Sequence, residues 1–455
     1  MVREDLNVSG TNSMSRRQFV AGASRVLLAG AAGAAALRSA RADGAAPWGP
    51  WRVGSGQREI TPPRDVGILM SSGRGEWAPF EGVRLPLCAR ALVVDNAQTR
   101  VGLVALDLLG LAGEAVGGMD DFKRRVSAHA GHALEAEQIV LASTHTHSGP
   151  ESLALSDLYR TEPFRNWVKA LAERIGAALG DATRSLRPCR LMVSSIPGAG
   201  LSVNRRIKTE RGITSPRAVR PTDVVYGPEG PTDDQVRVAA FIEQSGRPAA
   251  ILVNATAHPV YEMCIKQVSP DYPGEMARLL EKRHPGATAL FFQGAAGNIN
   301  SPQVSTGPAD AGRHGRQLAD LVDRALGKLR PVQGSDLAIR WRQIKLPART
   351  LQGEPQAEPL LGAVGALRLG SAAMVFLPGE PFVEIALAVR KASPFDFTAV
   401  VGYAESYIGY IPTDRAFSSG GYECRPGRWS RVAIGSEQVV RQEAIGLLKS
   451  LKNGS

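Results

Sequence analysis

Ile139-Val140-Leu141-Ala142-Ser143-Thr144-His145-Thr146-His147-Ser148-Gly149-Pro150 changes character at its midpoint. Its first four residues are an apolar run of strand length; the rest is polar and carries two histidines two positions apart. A short apolar run that stops at a Gly-Pro signal reads as a buried strand. The same change recurs along the chain. Residues 249–255 end at Thr256-Ala257-His258-Pro259, and residues 287–292 run into Gln293-Gly294-Ala295-Ala296-Gly297-Asn298-Ile299-Asn300-Ser301-Pro302. Residues 373–377 end at Pro378-Gly379-Glu380-Pro381.

Between these segments the periodicity alternates. Residues 89–94, 101–106 and 236–242 are further strand-like runs. Val116, Met119, Phe122 and Val126 fall near helical spacing, as do residues 167–179, Met276 with Leu279 and Leu280, Leu318 to Ala325, and 436–451. Asp271 and Pro273 mark the start of one of these helices. Strands alternating with helices predict an α/β fold, a mixed, largely parallel β-sheet core flanked by helices. Ligand sites in such sheets form beyond the C-terminal ends of strands. Four polar segments at four strand ends therefore predict one composite site. Residues 199–235, rich in Pro, Gly, Arg and Thr, read as a long loop over it.

The 455 residues are 44% hydrophobic and 21% charged, the balance of a soluble globular protein with a sizeable core. The net charge is +11. Residues 1–42 hold six arginines against Glu4 and Asp5, which leaves roughly +7 on the rest. No long basic run occurs, so no nucleic-acid partner is expected, and at most peripheral membrane contact. Ser15-Arg16-Arg17-Gln18-Phe19-Val20 precedes an Ala/Gly/Leu-rich stretch that ends at Ala40-Arg41-Ala42. That pattern resembles a twin-arginine export signal. It divides the chain into a signal over 1–42 and a single domain over 43–455, expected to be periplasmic or secreted. Cys88, Cys189, Cys264 and Cys424 are widely spaced and form no Cys-x-x-Cys pair. A thiolate zinc site is not expected, while up to two disulfides or free thiols both remain open.

Of seven histidines, His145, His147 and His258 fall at strand ends, and His129, His132, His284 and His314 are expected on the surface. Without thiolates, zinc takes imidazole nitrogen and carboxylate oxygen, and a three-ligand site with an open position is the catalytic form. A fully extended strand would turn His145 and His147 to one face. Both could then hold one metal, or one could bind it while the other moves protons.

Ile60-Thr61-Pro62-Pro63, Thr144 to Pro150, Ala257-His258-Pro259, Gly294 to Asn298, Leu377 to Glu380, Tyr407-Ile408-Gly409-Tyr410-Ile411-Pro412-Thr413 and Gly421-Tyr422-Glu423 occur in this order. The series resembles the catalytic domain of neutral/alkaline, non-lysosomal ceramidases, over about residues 52–451. The resemblance implies Zn2+ held by His145, His258 and Glu380, with Tyr410 near the metal and stabilising the oxyanion. It implies proton transfer by His147, Arg205 lining the site after Asn204, and substrate contact by Tyr422. The family's serine before the proline falls on Asn300 without a gap and on Ser301 with one inserted residue. Asn cannot be a nucleophile, which favours a zinc-activated water. The implied reaction is hydrolysis of the amide of ceramide or a related N-acyl lipid to a fatty acid and an amine. The family's β-sandwich after the catalytic domain has no counterpart in this sequence, which leaves open an amidase or esterase for another envelope substrate, or an inert binding protein.

Overall fold

The computed structural model describes residues 51–69, 77–78, 80–198 and 200–454. The export signal expected over 1–42, and the segment 43–50, lie outside the described residues. The described residues form one compact unit.

Eight strands make the body of a nine-stranded sheet: β1 Trp51–Glu59, β2 Cys88–Asp95, β3 Arg100–Leu106, β4 Ile139–Ser143, β5 Arg187–Pro197, β6 Gln235–Glu243, β7 Pro248–Ala255 and β8 Thr288–Gln293. Their order is β8-β7-β6-β5-β1-β2-β3-β4, and the short strand Arg330–Pro331 adds to β5. A second sheet runs β9 Leu337–Arg349, β10 Pro355–Leu369, β11 Ala372–Phe376 and β12 Phe397–Val401 in that order. The main helices are α1 Met119–His129, α2 Glu162–Arg184, α3 Asp271–Arg283, α4 Pro308–Leu326, α5 Val383–Lys391 and α6 Ser436–Asn453.

The pleat sorts the core into layers. Ala89, Ala91 and Val93 of β2 face Phe122, Trp167, Leu171 and Ile175 of α1 and α2. Leu92 and Val94, pointing the other way, join Leu367, Met374 and Phe376 of the second sheet. Val238, Ile251 and Phe291 pack under α3 and α4. The second sheet's outer face takes Val440, Ala444 and Leu448 of α6. The result is helices, sheet, sheet, helices. Each layer buries the apolar face of its neighbour, and truncating one fully buried aromatic such as Phe122 would cost about 3–5 kcal/mol.

The mixed sheet flanked by helices matches the sequence reading, but its parallel share is small. In the large sheet only β3–β4 and β7–β8 pair parallel; the remaining pairs are antiparallel. The cause is short turns, such as residues 96–99 between β2 and β3, which can only join antiparallel neighbours. Residues 199–235 are not a bare loop either. Ile207–Thr209, Gly212–Thr214 and Val225–Pro228 form a small antiparallel sheet of their own, and Val203–Asn204 pairs with Ile299–Asn300. All four cysteines are free thiols.

At the start of α3, Asp271 is fully buried in a left-handed conformation, φ 54°. Its carboxylate accepts the amides of Glu262 and Tyr272. Burial, and then the neighbouring Glu262 charge, push this carboxyl up to about 7. Between about pH 4 and 7 the folded chain therefore holds a proton that the unfolded chain has released, so Asp271 makes stability fall as pH rises through that window. Asp271→Asn removes the titration. The stability of the variant relative to the parent is expected to improve steadily from pH 4 to 7 and then level off. Melting curves across that range check it; a difference independent of pH would contradict the assignment.

Candidate active site

The edge strands β4 and β8 stand at opposite ends of the sheet order, yet their ends meet. Gln293, the last residue of β8, donates from Nε2 to the carbonyl of Thr144 just past β4 (3.4 Å) and to that of Ala257 past β7 (2.7 Å). The second sheet is stitched to the same place. Ser143 N donates to Tyr403 O, Gly402 N to Gln293 O and Gly297 N to Pro381 O, at 2.9–3.0 Å. A Cβ on Gly297 would sit 2.4 Å from Glu380 O, and one on Gly379, at φ 61°, 2.3 Å from Gly409 O. Glycine is needed at both because backbone occupies the space.

His145, His258 and Glu380 converge. Nε2 of His145 lies 3.2 Å from Nε2 of His258 and 3.3 Å from Oε2 of Glu380, and the third side, His258 to Glu380, is 3.2 Å. Nδ1 of His145 donates to Leu109 O (2.6 Å) and Nδ1 of His258 to Ile299 O (3.0 Å). In the neutral rings this leaves both Nε2 atoms as acceptors beside the carboxylate, with Arg205 Nη1 also within reach of that of His258. Zinc–nitrogen bonds of about 2.0–2.1 Å imply a tetrahedral ligand edge of about 3.3 Å, so this donor set fits such an ion. His147 stands alongside, Nε2 to Nε2 3.3 Å from His145, and the three histidines form a group able to hold a metal. The set with Glu380 is the tighter triangle.

The His145–His147 convergence does not come from strand alternation. β4 ends at Ser143, and His145 adopts φ 69° in the following turn. That left-handed backbone, uncommon outside glycine, swings its ring inward. His314 departs from its expected surface position. It is buried in α4, takes the Tyr261 hydroxyl at Nδ1 and stacks on Tyr272 at 4.0 Å, which pushes it down to about 3 by burial.

Electrostatics follow from enclosure. Burial would raise Glu380, but the two histidines beside it more than offset this and hold it well below the usual carboxylate range. Burial and then Arg205 push His258 down to about 4. His147 is also driven well below the ordinary histidine value, by burial and by His145 and His258, and is therefore neutral at pH 7. Its Nδ1 is enclosed and has no hydrogen-bond partner. Burial keeps Tyr410 protonated, well above the ordinary phenol value.

The other expected residues gather around this centre. Tyr410 is buried in a two-residue parallel pairing directly opposite Glu380. Arg205 lies over its ring, 5.3 Å from the centroid. Arg205 Nε donates to Glu423 (2.8 Å), while Nη1 reaches Asn300 Oδ1 (3.2 Å) and lies 3.3 Å from His258 Nε2. Nη2 is buried without a partner. Asn300 thus supports Arg205. Ser301 Oγ donates to the carbonyl of His258 (2.7 Å) and is 1% exposed, so its hydroxyl is committed to the backbone. Tyr422, 43% exposed, meets Tyr410 edge-on at 5.8 Å and stacks on Trp429 at 5.5 Å.

Three contributors were not assigned from sequence. Tyr407 donates to Oε1 of Glu380 (2.8 Å), Tyr403 to Oε2 (3.3 Å), and Glu423 binds both Arg205 and Arg206. The Tyr407-Ile408-Gly409-Tyr410 spacing was the available signal for the first.

The four-layer α/β fold carries, where its two sheets meet, a buried histidine–carboxylate group of the class that could bind a metal. Comparison makes the kinship particular. Over 271 residues the chain is 28% identical to the neutral ceramidase of Pseudomonas aeruginosa, covering 57% of this chain and 38% of that protein. The crystal structure of neutral ceramidase from Pseudomonas aeruginosa superposes with TM-score 0.71 at 20% identity, over 89% of this chain and 75% of that one. A ceramidase complexed with C2 gives 0.72 at 18% identity, over 89% and 76%. No protein-family model matches. The chain is a relative of the neutral ceramidases, sharing their fold, and its matched stretch spans about two fifths of the curated relative's length.

Tyr407 fixes the carboxylate oxygen turned away from the histidines. Removing such an outer hydrogen bond typically weakens metal binding by about 10–100-fold. Tyr407→Phe, which keeps the ring, should show that loss in chelator competition with an unchanged melting curve. Metal affinity equal to the parent's would exclude the role.

Proposed function

We propose that this chain is a zinc-dependent amidohydrolase that cleaves the N-acyl amide of ceramide or a related N-acyl lipid, yielding a fatty acid and a free amine. The observation that carries the reading is the 3.2–3.3 Å triangle of His145, His258 and Glu380 in a relative of the neutral ceramidases. Zinc, when bound there, would supply Lewis-acid polarisation of the scissile carbonyl and acidify a water.

The chain's own residues do the rest. Neutral His147 accepts the proton from the attacking water and returns it to the leaving amine. Protonated Tyr410 donates a hydrogen bond to the developing oxyanion, and the free Nη2 of Arg205 adds a fixed positive charge. Asn300 and Glu423 hold that guanidinium in place. Tyr422 and Trp429 offer an aromatic wall at the mouth for apolar substrate. Ser301 is a structural residue under this reading, because its hydroxyl is spent on His258 O.

Metal-reconstituted protein should release a sphingoid base or amine together with fatty acid from an N-acyl lipid. His147→Ala should lose about 10²–10⁴-fold in turnover, whereas Ser301→Ala should keep most of it. Trapping an acyl-enzyme on Ser301, or an equal loss in both variants, would refute the water route. Absence of turnover on ceramides and short N-acyl amides alike would refute the hydrolase.

The proposal includes export by the twin-arginine route, resting on Arg16 and Arg17 ahead of the Ala/Gly/Leu-rich stretch. Arg16→Lys with Arg17→Lys should leave precursor in the cytoplasm, seen by fractionation; normal export of the double variant contradicts it.

A further inference from the structure

Val224, Val225 and Tyr226 stand 56%, 50% and 66% exposed, three consecutive apolar residues turned to solvent. Single exposed apolar residues are ordinary, but a contiguous group is not. They lie at the start of the strand Val225–Pro228 in the small sheet over 207–228. The strand pairing explains the exposure. Lys208 opposes Gly227 while the next residue, Thr209, opposes Val225, so Tyr226 is the extra residue of a β-bulge. A bulge re-aims a side chain, and here it throws the tyrosine outward.

The same flap is basic. Lys208, Arg211, Arg217 and Arg220 are exposed, against Glu210 and Asp223, and Arg211 is paired with Asp223. Apolar residues at a tip with cations around them match the surface of an anionic bilayer, apolar side chains entering the acyl boundary and cations meeting the headgroups. Tyrosine suits that boundary because its ring is apolar and its hydroxyl stays wet.

The flap is fixed to the site. Arg206, 1% exposed, anchors its base through Glu229, Glu423 and Gly420 O, and Glu229 N returns to Arg206 O at 2.7 Å. Its other edge abuts Gly421, where an added Cβ would sit 3.0 Å from Ile213 Cγ2. The next residue is the exposed Tyr422 at the mouth.

We infer that residues 207–228 are a membrane-docking flap, which seats the mouth of the site on an anionic phospholipid bilayer through Val224, Val225 and Tyr226 and the surrounding basic side chains. The inference goes beyond the hydrolase reading and does not require turnover.

The test is flotation of the full chain with vesicles of phosphatidylcholine alone and with about a third phosphatidylglycerol. Binding is expected to the anionic vesicles and to weaken with added salt. Val224→Ser/Val225→Ser/Tyr226→Ser should reduce it about tenfold or more, and Lys208→Glu/Arg217→Glu/Arg220→Glu should reduce it too. Glu380→Ala should bind vesicles like the parent, which separates docking from the active site. Brominated lipid should quench a Tyr226→Trp variant more than the parent, which places the tip in the bilayer even if the triple variant folds poorly. No binding by the parent, parental binding by a folded triple variant, or no added quenching overturns the proposal. So does self-association that the triple variant abolishes, since the patch would then be a protein interface.

Discussion

Three lone pairs, on His145 Nε2, His258 Nε2 and Glu380 Oε2, are held at 3.2–3.3 Å from one another inside the protein. Lone pairs so close repel one another unless a proton or a cation lies between them. A proton is one candidate, but burial and Arg205 push His258 down to about 4, so near neutral pH that ring carries no extra proton. The carbonyls of Leu109 and Ile299 lie at Nδ1 of the two rings and turn Nε2 of each toward the carboxylate. A cation with nitrogen and oxygen ligands is the other, and this donor set could hold one. Two tyrosines hold Glu380 at both of its oxygens.

The fold is the means of bringing those atoms together. The two histidines sit beyond β4 and β7, which are far apart in the order of the large sheet, and Glu380 comes from neither sheet but from the two-residue pairing with Tyr410 that follows β11. Gln293 and the backbone bonds among residues 143, 293, 297, 381, 402 and 403 close the gap. Such closure demands close backbone approach and unusual conformations, which is why Gly297 and Gly379 admit no side chain and why His145, Tyr403 and Glu405 all have positive φ. Non-glycine residues in that region cost of order 1–3 kcal/mol each and persist where the surroundings over-determine them.

That division also explains what could be read in the sequence. Apolar runs with strand or helical period, such as 101–106 and 436–451, were visible because burial on one face writes a pattern. Their polar endings marked His145, His258 and Glu380 for the same reason. β9 and β10 were harder: residues 337–349 alternate apolar and basic, and residues 355–369 mix glycine, alanine and charge, so neither stands out as a run. Strand direction was legible only where a short connection such as 96–99 joins two runs, since parallel and antiparallel neighbours differ in their connections rather than their side chains. The inward turn of His145 was equally hidden, because it depends on φ. His314 was misplaced as a surface residue because a polar neighbourhood in sequence says nothing about which face of a helix it occupies.

Arg205 poses the remaining electrostatic question, since a guanidinium 3.3 Å from His258 Nε2 stands against any cation in the triangle. Its answer is Glu423. That carboxylate is buried, yet Arg205 and Arg206 together hold it below the ordinary value. Arg206 in turn is balanced by Glu229. The four side chains sum to zero, so Arg205 can lie beside the centre without adding net charge to the region. Locally, however, its Nη2 remains buried without a hydrogen-bond partner. With Glu380 as the only ligand charge, a dication would leave the centre with one positive charge in excess. A site of that sign favours the state in which negative charge develops on a carbonyl oxygen over the neutral amide that precedes it, which is where catalytic stabilisation has to act.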